Sequence, residues 1–244
     1  MTPSLTDKDA LEAASGGAMT YTEHLDELRT RLLRMLAAVA AGMLLSYIYI
    51  DSLVAFFTAP AERLYYLRPA EAFFIYLKVG LVCGLVFASP VAFYELWAFV
   101  MPAFTLRQRL RLTLIAIASV LLFGAGLAFG HRFILPLGLR FFMGFDSATV
   151  QSMISMESYV DFVLTAVLPF GFVAELPLVL SLAACLGLVS SSLLVRGRRY
   201  VIFGIFTFAA IATPPDAVSQ LLLAVPMLLL YEIGLLFIRY VLKK

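Results

Sequence analysis

Charge is scarce in this chain, and so is most of what a soluble enzyme works with. Asp, Glu, Lys and Arg make up 14% of its 244 residues, against 62% hydrophobic. A soluble domain carries about 25% charged and roughly 45–50% apolar residues. There are two cysteines, Cys83 and Cys185, each inside an apolar run, which implies packed small side chains and no disulfide framework. Two histidines, His24 and His131, are too few and too far apart for a metal site. No glycine-rich phosphate loop and no nucleophile–base spacing is found, so neither a catalytic residue nor a cofactor is expected. The net charge of +2 and its distribution argue against nucleic acid as a partner.

What is abundant is the long apolar run, and the few cations mark the ends of those runs. Twelve of the eighteen Lys and Arg residues fall in four clusters: Arg29/Arg31/Arg34, Arg107/Arg109/Arg111, Arg196/Arg198/Arg199 and Arg239/Lys243/Lys244. The alternate connections hold only Arg63, Arg68, Arg132 and Arg140, with Asp51, Glu62, Glu71, Asp146, Glu157 and Asp216. In a polytopic membrane protein the loops left in the cytoplasm carry the excess of Lys and Arg. The pattern predicts an all-α integral membrane protein, a curved bundle of six transmembrane helices with both termini in the cytoplasm. The loops at Arg107 and Arg196 are then inside, and 51–71, 131–158 and 213–216 outside. Residues 1–20 read as a polar, disordered cytoplasmic tail without the apolar core of a secretory signal, and 21–244 as one membrane domain.

The spans are expected at 32–50, 72–100, 112–130, 159–186, 200–212 and 217–238. The fifth and sixth are read as short. A crossing takes about 20 apolar residues, and the fifth run has about thirteen, so local thinning of the bilayer is expected beside it. Pro90, Pro169, Pro177 and Pro226 interrupt the spans and predict bends, which a bundle tolerates because neighbours re-satisfy the freed carbonyls. No inverted repeat is visible, which weighs against a secondary transporter.

Two places carry unexpected charge. Residues 20–34 read as an amphipathic helix leading into the first span, with Thr20 and Glu23 as a capping box and Glu27–Arg31 as an i,i+4 pair. Its Leu25, Leu28 and Leu32 recur on one face. Taken on spacing alone, it is equally an ordinary juxtamembrane helix with solvated charges. Glu175 lies about sixteen residues from Tyr159, near mid-membrane at about 1.5 Å per residue. An acid there is costly and marks either a functional groove or a neutral carboxyl bonded within the bundle.

Four motifs then occur in order: His24-Leu25-Asp26-Glu27-Leu28-Arg29-Thr30-Arg31-Leu32, Tyr94-Glu95-Leu96-Trp97-Ala98-Phe99-Val100-Met101-Pro102-Ala103, Phe170-Gly171 leading to Glu175-Leu176-Pro177, and Thr213-Pro214-Pro215-Asp216 with Ser219-Gln220. Within six spans, this order closely resembles TatC, the multi-spanning core of the twin-arginine protein translocase, over about 22–244. The resemblance implies a receptor in the cytoplasmic (inner) membrane. It would bind twin-arginine signal peptides of folded cargo at the cytoplasmic face, form homo-oligomers within the complex, and assemble with the single-span subunits TatA and TatB. Transport would draw on the proton-motive force. Carried over by residue, the resemblance makes Glu27 the acid of the arginine-pair site, with Leu25, Arg29, Trp97 and Pro102 on the surrounding surface. It makes Glu175 the acid of an intramembrane groove, and puts Pro60, Glu71, Phe73, Asp216 and Gln220 in the periplasmic cap.

This chain departs from the family at Gln108, where a second cytoplasmic Glu is usual, and at Ala174, where Phe is frequent. The Gln108 amide accepts a hydrogen bond from guanidinium but brings no charge, and Glu95 is the nearest substitute. Two other functions fit the bare residues. One is a proton-coupled secondary transporter using Glu175, the other a scaffold without a ligand.

Overall fold

The computed structural model describes residues 21–61, 64–100, 106–144, 153–185, 191–212 and 217–241. Among them every long element is a helix, as apolar runs of this length require, because a backbone within lipid must satisfy its own hydrogen bonds. Helix α1 spans Tyr21–Ile48, so leader and first span are one continuous rod, and α2 covers Ile50–Thr58. Helix α3 is Glu71–Val100; α4 is Leu106–Phe129 and passes through a π-helical turn, Gly130–Ile134, into α5, Leu135–Met143. Helices α6 (Met156–Cys185), α7 (Ser191–Ala212) and α8 (Ala217–Val241) complete the order.

Three boundaries differ from expectation. The third span does not stop at 130, because the π turn carries the helix on to Met143 and turns His131 onto the Phe56 ring, 4.4 Å away. The segment after 51 is not all loop, since α2 occupies its first part. Helix α7 begins at Ser191, nine residues before the expected start at 200. Arginine is a good helix former whose stem follows apolar surface, so Arg196, Arg198 and Arg199 extend the helix. Among the described residues four stretches are long and apolar enough to cross a bilayer: Glu23–Ile48, Glu71–Phe99, Leu114–Met143 and Met156–Leu180. In α8 the apolar stretch, Gln220–Ile233, is shorter than these. All four span prolines lie inside unbroken helices.

The helices pack as a series of neighbours. Helix α1 packs along α3, α4 along α6, α6 along α8, and α8 along α7, while α3 also touches α4 and α6. Burial follows this order: half of the apolar window of α6 is covered by neighbours, against 11% for α1 at one end. One core lies between α2, α3, α5 and the first half of α6, around Ile75, Val79, Leu135, Tyr159 and Val163. A second joins α6 to α7 and α8 around Phe170, Ala209, Leu223 and Tyr231. Between apolar helices in lipid, close packing replaces the hydrophobic effect as the main attraction, and small residues permit it. At Gly126 an added Cβ would run into the Phe170 carbonyl, so α4 and α6 touch there backbone to backbone.

Candidate functional site

Glu27 and Arg31 stand one turn apart on α1, and α3 brings Glu95 to the same place. The Arg31 guanidinium lies between the two carboxylates. Its Nε and Nη2 donate to Glu27 Oε1 at 3.0 and 2.5 Å, and its Nη1 donates to Glu95 Oε2 at 2.8 Å. Arg34 reaches the other Glu95 oxygen at 3.5 Å. Glu95 is buried and Glu27 and Arg31 are nearly so, which makes these charge-assisted bonds stronger than surface pairs. Glu27 keeps one oxygen back: Oε2 is buried without a hydrogen-bond partner, although His24 Nδ1 is 3.7 Å away. The His24 ring stacks on Phe99, with centroids 4.3 Å apart. Two carboxylates, two resident guanidinium groups (Arg31 and the more exposed Arg34), one spare acceptor and a ring pair therefore share one spot at the junction of α1 and α3.

Only part of this was expected. The Glu27–Arg31 pair follows from helical spacing, but the bridge to Glu95 joins positions 64 residues apart. Leu25 and Arg29 lie on the exposed side of α1. Trp97 does not: its ring is buried and its indole N–H donates to Ser119 Oγ on α4 at 2.8 Å, so it faces into the bundle. Pro102 and the side chain of Gln108 lie outside the described residues.

Deeper in the membrane, Glu175 is turned into the seam between α6 and α4 and is only 6% exposed, instead of facing an open groove. Its polar neighbours are the Ser119 hydroxyl and the Phe123 backbone, and its Oε1 has no hydrogen-bond partner. Ser119 was not foreseen, because a serine in an apolar run gives no sequence signal apart from its polarity.

At the far end, Glu71 acts as a staple. Its Oε2 accepts the backbone N–H groups of Leu67 and Arg68 at 2.8 and 3.2 Å, and its Oε1 accepts that of Glu157 at 2.8 Å. One carboxylate thus caps the start of α3 and draws the start of α6 against it. Tyr65 adds backbone bonds to Ile154 and Met156 on the same side. Phe73 is largely exposed, and Pro60 is half-buried just after α2. Gln220 Nε2 donates to the Phe206 carbonyl at 3.1 Å and ties α8 to α7, as Arg198 and Glu232 do at the other end at 2.5 Å. Lys78 pairs with Asp161 between α3 and α6. Asp216 and the Cys185 side chain lie outside the described residues, Cys83 is buried and free, and no metal-binding group occurs among the described residues.

With this geometry in place, comparison with known proteins is specific. The family model described as Sec-independent protein translocase protein (TatC) matches residues 23–226. A Sec-independent protein translocase protein TatC of Desulforapulum autotrophicum is 42% identical over 231 residues, covering 92% of this chain and 86% of that protein. The chloroplastic protein of the same name from Arabidopsis thaliana is 39% identical, over 87% of this chain and 64% of that one. A crystal structure of the twin arginine translocase receptor TatC, in a detergent, superposes with a TM-score of 0.82 at 33% identity, covering 88% of this chain and 99% of that one. By sequence and by fold, then, the chain belongs to the TatC family of the twin-arginine, Sec-independent protein translocase: membrane-spanning proteins of protein transport and not enzymes.

Proposed function

We propose that this chain is the receptor subunit of a twin-arginine translocase in the cytoplasmic membrane. In this reading 21–244 form one membrane domain that crosses six times, with both termini and the junction of α1 and α3 facing the cytoplasm. It binds the Arg-Arg pair of a signal peptide there, works as one of several copies, and assembles with the single-span subunits TatA and TatB. The observation that carries the reading is the Arg31 guanidinium held between Glu27 and Glu95, a pair of carboxylates set at a spacing that suits a planar, forked cation. Arginine presents two N–H groups in a plane to a carboxylate, and the compact ammonium of lysine does not, so such a spot distinguishes Arg-Arg from mere positive charge. Glu27 Oε2 is the acceptor left for a second guanidinium, and Leu25, Arg29 and the exposed side of α1 line its approach. The family resemblance adds Pro102 and Gln108 to the peptide-binding residues, and Trp97 supports the site from within. Pro60, Glu71, Phe73, Asp216 and Gln220 cap the outer end, and Glu175 is where a partner helix offers a polar group.

The test is binding of a labelled Arg-Arg signal peptide to the protein in nanodiscs, beside its Lys-Lys version. The Arg-Arg peptide should bind at least about tenfold more tightly, the equivalent of one good charge-assisted hydrogen bond. Equal affinities would remove the guanidinium-reading role from Glu27 and Glu95.

A further inference from the structure

Helices α3 and α4 meet at one end and part at the other. They touch where Trp97 bonds Ser119, and where the Phe93 and Phe123 rings meet edge to face with centroids 5.3 Å apart. Further along, α3 turns to α6, where Lys78 pairs with Asp161. Helix α4 and its π turn stay on α6 instead, with Gly126 against the Phe170 carbonyl and Gly130 against Val167. The divergence leaves a cavity of about 490 Å³ between α3, α4 and α6, with Phe56 and Phe57 of α2 along its remaining side. Cys83 of α3 and Val167 of α6 lie inside it, while Phe87 and Ala128, which also line it, are exposed on the outer faces of α3 and α4. The cavity therefore opens sideways, from within the apolar stretches that face lipid.

Its lining is apolar except for the Cys83 thiol and two neighbours on the π turn, His131 and Arg132. The His131 ring stacks on Phe56, and its Nε2 is buried without a hydrogen-bond partner. Arg132 is exposed and pairs with no carboxylate among the described residues, whereas Arg31, Arg34, Lys78 and Arg198 each have one. Both residues follow directly on the apolar run that ends at Gly130, where hydrocarbon gives way to headgroups. Size selects what can enter. A helix about 10 Å across fills roughly 400 Å³ per turn, so the cavity holds little more than one turn of a partner helix. A flexible acyl chain enters lengthwise and finds apolar walls throughout. Charge selects the rest, because a guanidinium offers a planar fork to phosphate oxygens, and a basic group between membrane helices suits an anionic headgroup.

We propose that this cavity is a binding site for one anionic diacyl phospholipid. One chain lies between α3 and α4, the phosphate sits on Arg132, and His131 Nε2 donates to a phosphate or ester oxygen. The bound lipid joins α2, α3 and α4 across the gap where α3 and α4 have parted. The site needs no signal peptide and does not rest on the function proposed above.

The probe is phosphatidylglycerol, titrated into lipid-stripped protein in detergent, beside phosphatidylcholine with the same chains. Native mass spectrometry counts the lipids retained, and Cys83 on the cavity wall reports where they sit, through its rate of alkylation by N-ethylmaleimide after Cys185→Ser. One phosphatidylglycerol per chain should be retained, roughly fivefold more tightly than phosphatidylcholine, and Cys83 alkylation should slow as it binds. Arg132→Gln changes an exposed residue outside the packed seams, and should weaken phosphatidylglycerol binding roughly tenfold and erase the preference. His131→Phe keeps a ring on Phe56 while removing the nitrogen, and should weaken binding of both lipids by a smaller factor. Ala128→Trp fills the mouth from an exposed position and should abolish lipid protection of Cys83. Equal phosphatidylglycerol binding by wild type and Arg132→Gln would overturn the headgroup site. Lipid binding that leaves Cys83 alkylation unchanged, or protection that survives Ala128→Trp, would overturn the chain site. Protection of Cys83 by an apolar helical peptide but not by lipid would give the cavity to a protein partner and overturn the proposal.

Discussion

Glu27 is the residue on which most depends, because its Oε1 is committed to Arg31 and its Oε2 is open. Glu27→Gln removes the charge while keeping size and one carbonyl acceptor. Truncating one side of a desolvated charged contact costs about 2–5 kcal/mol, and partial exposure places this case at the low end, so Arg-Arg peptide binding should weaken roughly tenfold or more. Gln108→Glu works in the opposite sense: it adds a carboxylate in the first turn of α4 and should tighten binding, more strongly at low salt, where screening is weakest. Titration of the same labelled peptide at two salt concentrations measures both. Glu71 is a structural counterpart at the other end, since its two oxygens take three backbone N–H groups from two segments. In Glu71→Gln one of those oxygens becomes an NH2 facing donors, a loss of about 1–3 kcal/mol. Its melting temperature should fall and proteolysis from the outer side should quicken, with peptide binding unchanged.

Helices α4 and α6 are the pair whose contact tolerates least. Gly126→Val drives a branched side chain into the Phe170 carbonyl and should cost about 1–3 kcal/mol or more as overpacking, read as a lower melting temperature. Gly124 is the matched control on the same helix: nothing lies near the Cβ that Ala would add, so Gly124→Ala should be neutral or stabilising by roughly 0.5–1 kcal/mol. Glu175→Leu removes the mid-membrane acid from this seam and should weaken co-purification of single-span partners while the protein still reaches the membrane. The helices themselves were largely legible from sequence. The second span was placed to within a residue of Glu71–Val100, and the fourth to within three residues of Met156–Cys185, because both are long, apolar and bounded by polar residues. Boundaries failed where polar residues continue a helix: apolarity ends at Tyr200 and at Gly130, but the backbone hydrogen bonding runs on through Arg196–Arg199 and through His131–Arg132. The same limit applied to the site. Glu27 and Arg31 share one helix and were legible as a pair, whereas Glu95 joins them, and Ser119 meets Trp97, across helix seams, and spacing along the chain does not encode the register of one helix on another.

In the packing order α1 stands at one end and α7 at the other, linked through the buried α6. The charge alternation predicts an orientation with both termini in the cytoplasm, which is open to single-cysteine labelling after Cys83 and Cys185 are replaced. A cysteine at position 108 should resist an impermeant maleimide in intact cells, and one at Met153 should react. The arrangement places a guanidinium-holding pair of carboxylates at the junction of α1 and α3 and a buried acid between α4 and α6. The most direct measurement is export of a folded reporter by cells whose own copy of the receptor has been replaced by this chain, with the reporter carrying either an Arg-Arg or a Lys-Lys signal. The account predicts export of the Arg-Arg reporter, little export of the Lys-Lys one, and loss of that preference in the Glu27→Gln, Glu95→Gln double variant. Equal export of the two reporters by the wild type, or an unchanged preference in the double variant, would contradict it.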